Sequence, residues 1–163
     1  MQNLRQRAEL LMRRVQHADD HHVFGSRSST RELVQRVTRL PDEYMVRRVR
    51  DHWAIVGPSG LFVVGRADGD MTESAHRTAA LAHSVRSLLS EEVSWVPFVD
   101  ALLVAESEHN GLECTVVELD SLELTLTSGG EQIDPIGLHQ IKRRLPGIVR
   151  QLDATPGRPL HAI

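Results

Sequence analysis

The stretch Asp51–Asp70, DHWAIVGPSGLFVVGRADGD, constrains the fold more than any other part of this chain. Trp53–Val56 and Leu61–Val64 are short and almost wholly apolar, the pattern of strands covered on both faces. Between them runs Gly57-Pro58-Ser59-Gly60. Pro58 presets φ for the first central position of a tight turn, and the flanking glycines accept backbone that other residues resist. Two buried strands joined by a turn are therefore predicted here.

The flanking segments extend this core. Tyr44–Val49 is β-branched and aromatic enough for a further strand. Before it, residues 29–39 read as a helix opened by Ser29 with Glu32 in capping-box spacing, with Leu33, Val37 and Leu40 on the apolar face and Pro41-Asp42 at its end. A long helix is predicted over 72–90, with Ala75, Ala79, Ala82, Val85 and Leu89 turned inward. Val96–Ala105, with Asp100 in its middle, and Cys114–Leu119 read as strands joined by the polar turn Glu106–Gly111. Asp120 or Ser121 caps a short helix that stops at Ser128-Gly129-Gly130. Asp134, with Pro135 following, caps a last helix to about Leu145. Pro146 disturbs its pattern, although Ile148, Val149 and Leu152 keep the apolar spacing. At the other end, Leu4, Ala8, Leu11 and Val15 make one stripe of a helix over 3–17, followed by a polar connector, Ala18–Arg27.

The predicted order is α-α-β-β-β-α-β-β-α-α, an α/β chain whose mixed sheet gains a parallel strand through a crossover helix. Residues 1–27 form the N-terminal helix and connector, 28–153 the core domain and 154–163 a loose tail.

A chain of 163 residues with 40% apolar content suffices for one domain with a real core, and no apolar run suits a membrane span. The N-terminus lacks the apolar segment and cleavage site of a secretory signal, so a cytoplasmic protein is expected. A lone Cys114 excludes an intrachain disulfide framework and reads as a packed core thiol. The net charge of −3 hides an asymmetry: residues 1–50 carry eleven Arg against six acids, whereas the rest carries eight basic and sixteen acidic groups. The basic third, notably Arg13, Arg14, Arg47, Arg48 and Arg50, could approach phosphates or could simply be solvated faces.

The run WAIVGPSGLFVVGRADG is similar to the signature of nuclease-related (NERD) domains, within the restriction-endonuclease-like superfamily that carries the PD-(D/E)XK motif. Leu40-Pro41, Phe62-Val63-Val64, Ala75 and Arg77 on the long helix, and the strand ending Val104-Ala105 follow in order. Val116–Leu126 with the helix near Ile141–Leu145 resembles the tail of such domains in actinobacteria. The resemblance spans roughly Ser28–Leu152 and implies a restriction-endonuclease-like mixed sheet.

It also implies a divalent metal held by carboxylates beside a lysine, to polarise a phosphate and activate water. Here the first aspartate position falls at His52, with Asp51 one residue away and on the opposite face by strand alternation. The second acid falls at Gly65, the lysine at Ala67, the glutamate of the first helix near Thr30 and the glutamine of the middle helix at Ser74. The expected reading is thus a nuclease-like domain without catalysis, kept as a binding module for nucleic acid or for a protein partner.

Two alternatives stand beside it. A divergent DNA nuclease would use His52 with Asp51 or Asp70 and Mg²⁺ or Mn²⁺; otherwise no cofactor is expected. A protein-interaction module without nucleic-acid contact would dock through the 4–15 helix. DNA contact, if made, is expected to be weak and non-specific, through Arg47, Arg50, Arg13 and Arg14, with Arg48 facing away. Asp68, Asp70 and Glu73 read as a loop and helix start, His17, Asp19, Asp20, His21 and His22 as a solvated connector rather than a metal site, Ser59 as a turn residue, and His76 and His83 as boundary residues.

Overall fold

The computed structural model describes residues 26–106 and 111–155. The 3–17 helix, Arg13, Arg14, the His17–His22 cluster and the tail beyond Thr155 lie outside the described residues.

Helix α1, Ser26–Thr38, leads into β1 (Met45–Val49), β2 (His52–Gly57) and β3 (Gly60–Arg66). Helix α2, Met71–Glu92, crosses to β4 (Val99–Val104), and β5 (Thr115–Val117) follows. A 3₁₀ turn, Leu119–Ser121, opens onto α3 (Leu122–Thr127), and α4 (Pro135–Ala154) is the last element among the described residues. The five strands form one sheet in the order β1-β2-β3-β4-β5. The first three make an antiparallel meander, and β4 and β5 add in parallel. The α/β class and the mixed sheet with its crossover helix are as the sequence predicts.

Strand alternation sorts the core into two layers. Ala54, Val56, Leu61 and Val63 pack on α2 through Leu81, Ala82, Val85 and Leu89, and on α4 through Ile141, Leu145, Ile148 and Val149. Trp53, Ile55, Phe62, Val64 and Leu102 face the other way, onto Leu33 and Val37 of α1 and Leu122 and Leu126 of α3. Both runs are buried along their length because helices cover both faces.

The turn between β2 and β3 is locked from the side. A Cβ at Gly57 would lie 2.3 Å from the Tyr44 ring, so glycine is required by close approach. The Tyr44 hydroxyl lies 2.6 Å from Ser59 Oγ, which donates to the Leu126 carbonyl at the end of α3. Ser59 is buried and serves the turn.

Several boundaries differ from the sequence reading. Helix α1 begins at Ser26, so Ser29 lies inside it: serines at 26, 28 and 29 offer competing starts within one turn, and the spacing to Glu32 does not choose between them. Strand β4 begins at Val99, because Pro97 has no N–H for a ladder. Ser121 makes no side-chain cap on α3. Asp134 does cap α4, accepting from the Gly137 N–H at 2.6 Å. Helix α4 runs through Pro146, whose interior position costs about 3 kcal/mol. Burying Ile148, Val149 and Leu152, each worth roughly 1.5–3 kcal/mol, offsets that cost. On α2, Thr78 is fully buried and Ala79 only partly. No helix among the described residues is long and apolar enough to cross a membrane.

Candidate functional site

The buried polar groups of the α2-facing layer meet at one end of the sheet. His52 opens β2, and alternation with Trp53 turns its imidazole toward α2. Asp70 sets where α2 starts: its carboxylate accepts from the Thr72 and Glu73 N–H groups at 2.9 and 3.2 Å. That start brings Ser74 and Thr78, one turn apart, over His52 and Gly65.

A hydrogen-bonded chain results. His52 Nδ1 lies 2.7 Å from Asp51 Oδ1, and Nε2 lies 3.0 Å from Thr78 Oγ1. The Thr78 hydroxyl also reaches the Ser74 carbonyl at 2.8 Å, so its one proton has two acceptors when the imidazole is neutral. Ser74 Oγ bonds both the N–H and the carbonyl of Asp68 at 3.1 Å, tying the β3–α2 loop to the helix. Asp51, expected on the opposite face of the strand, sits instead in the two-residue β1–β2 turn and reaches the imidazole from there.

The position assigned to a second acid has no room for one. A Cβ at Gly65 would stand 2.5 Å from Thr78 Oγ1, 2.8 Å from His52 Cδ2 and 2.9 Å from Nε2. The imidazole and the threonine fill that space. Ala67 extends the ladder, its N–H donating to the Val104 carbonyl at 2.8 Å, and its methyl packs against an apolar cluster of Ala75, Leu103, Ala105 and Val116. Thr30 lies across the sheet, where its hydroxyl accepts from Arg66 at 2.7 Å.

A carboxylate–imidazole–hydroxyl chain has the connectivity of an activated nucleophile. Here the hydroxyl belongs to a residue with 0% exposure, and no substrate atom can reach it. Metal binding by His52 is obstructed as well, since its Nε2 is buried against Thr78 Oγ1 at 3.0 Å. Asp70 is engaged in capping, and no three His, Cys, Asp or Glu side chains converge among the described residues.

Burial, with the charges of Arg77 and Arg50 acting in the same direction, holds the His52 pKa below the usual histidine value although Asp51 pulls it up. Burial raises the Asp51 carboxyl, but His52, the local backbone and Arg77 together bring it below its ordinary value. A depressed histidine pKa means that the unfolded chain takes up the proton more readily. Stability from His52 is therefore full above about pH 6.5 and falls as pH drops toward its folded value. Urea midpoints between pH 7.5 and 5.5 should fall further for the wild type than for His52→Gln; equal falls would contradict this account of the imidazole.

The arginines divide by position. Arg47 is exposed on edge strand β1, its guanidinium bonded only to the neighbouring Val46 carbonyl among the described residues. Arg48 points to the opposite face and stands 5.9 Å from the Trp53 ring centroid. Arg50 serves the end of α4. Its N–H donates to Asp153 Oδ1 at 2.7 Å and its guanidinium to the Leu152 and Thr155 carbonyls at 3.2 Å. These bonds hold it at φ 54°, unusual for a residue with a side chain. His76 is exposed and pairs with Glu113 at 2.8 Å, and His83 is exposed. Cys114 is half-buried, and burial with the nearby Glu113 raises its thiol to about 11, far from a reactive thiolate at neutral pH.

Sequence reasoning passed over Thr78. The available signal was a pair of hydroxyls, Ser74 and Thr78, on the otherwise apolar face of α2.

Against protein-family models, curated proteins and solved structures, the chain finds no match.

Proposed function

We propose that this chain is a nuclease-related domain of the restriction-endonuclease-like kind that does not cut nucleic acid and acts as a binding module for it. The observation that carries the reading is the filled space at Gly65, where a Cβ would stand 2.5 Å from Thr78 Oγ1. The resemblance assigns an acidic metal ligand to that position, and His52 replaces the first one. The meander, crossover helix and parallel fourth strand are compatible with the scaffold the resemblance implies. Scaffold alone does not fix activity. The chemistry of the site therefore carries more weight than the family's usual reaction.

Binding without a catalytic metal should not require divalent ions. Fluorescence-anisotropy titrations of duplex and single-stranded DNA should show weak, sequence-tolerant affinity at low salt in EDTA, which added Mg²⁺ does not strengthen and, as a competing counterion, lowers. That affinity should fall steeply toward physiological salt as counterion release loses its drive. No measurable binding at low salt would transfer the reading to a protein-interaction module.

A further inference from the structure

We infer that the outer face of α4, with the exposed Trp95 beside it, is where this chain takes a single strand of nucleic acid; the inference rests on the binding role proposed above and gives it a location. Summed along the sequence, residues beyond 50 are acidic. The fold separates those charges. Helix α4 carries Lys142, Arg143, Arg144 and Arg150 with His139, and its one acid, Asp153, is engaged by the Arg50 N–H. None of these four cations forms an ion pair or hydrogen bond among the described residues.

Helical spacing gathers the groups. With Ile141, Leu145, Ile148 and Leu152 buried against the sheet and α2, the opposite face presents His139, Arg143 and Arg150 in one stripe, flanked by Arg144 and Lys142. At 1.5 Å rise per residue, Arg143 and Arg150 stand about 10 Å apart along the helix axis, within reach of separate phosphates of one strand.

The stripe borders a cleft of about 280 Å³ whose lining includes His139, Gln140, Arg143 and Arg144 on one side and Val93 and Ser94 on the other, with Glu92 its one acid. The next residue, Trp95, is 54% exposed, and Phe98 in the same loop is 74% exposed. Cations on one wall of a cleft and an exposed indole that follows its other wall in the chain match the backbone and the base of an unpaired strand, respectively. An acidic polypeptide would satisfy the cations but leave the aromatic groups unexplained. Arg50 is engaged within the fold, and Arg47 stands on edge strand β1, bonded to the Val46 carbonyl.

The test uses the full chain with a fluorescein-labelled oligothymidylate, a duplex and labelled polyglutamate, read by anisotropy at several salt concentrations. Arg143→Gln with Arg150→Gln should weaken oligothymidylate binding roughly tenfold or more at low salt and reduce the salt slope by about 1.4. Trp95→Ala should weaken it about fivefold or more, while Arg47→Gln should change it by less than about twofold. All positions changed are exposed, and circular dichroism with thermal unfolding verifies that each variant is folded. Wild-type binding left unchanged by the double substitution, or lost with Arg47→Gln, would overturn this location while leaving the binding role intact. Failure of the wild type to bind either nucleic acid would overturn both. Binding of polyglutamate alone, lost in the double variant, would replace the nucleic-acid strand with an acidic polypeptide.

Discussion

Gly65→Glu should unfold the domain or leave it barely stable, although it restores an acid that a nuclease of this kind would carry. The Cβ alone would collide with Thr78 Oγ1 and the His52 ring. Overpacking of this sort costs about 1–3 kcal/mol, and burying a carboxylate there adds a desolvation cost. Against a typical stability of about 5–15 kcal/mol, a loss of about 4 kcal/mol or more should be plain in urea unfolding. Adding Thr78→Ala and His52→Ala should recover part of it, because those substitutions remove the atoms in the way. A Gly65→Glu protein as stable as the wild type would mean that the space is open.

Phe62→Ala should cost about 3–5 kcal/mol. Phe62 is 6% exposed in the middle of β3, opposite Ile55 of β2 and Asp100 of β4, and belongs to the layer under α1 and α3. Losing the ring leaves a cavity that strands held on both sides cannot close. The midpoint should fall without a change in urea m-value. A loss below about 1 kcal/mol would mean that this layer is not the packed core described.

Much of the fold was legible because its strands announce themselves. Two unbroken apolar runs around Gly57-Pro58-Ser59-Gly60 leave little besides a buried hairpin, and Asp134-Pro135 marks the start of α4. What escaped the sequence depends on distance. Nothing local says that Arg50 will reach Leu152 and Thr155, since those residues meet only after α4 has packed across β1 and β2. Pro146 reads locally as a stop, yet the buried residues beyond it decide otherwise. Periodicity selects apolar side chains, so Thr78 was passed over although it closes the Asp51–His52 chain. Charge summed along the chain likewise averages over faces, which is why the cations of α4 were counted into an acidic region. Asp70, by sequence a candidate metal ligand or a loop residue, caps α2 with two bonds to its first turn.

A scaffold that binds nucleic acid without cutting it should leave DNA whole when metal is supplied. Purified wild-type protein and His52→Ala, incubated with supercoiled and linear DNA in Mg²⁺ and in Mn²⁺, should both leave the DNA intact, with the wild type still binding it. Metal-dependent cleavage by the wild type, abolished in His52→Ala, would contradict the account and establish a rearranged active site around that histidine.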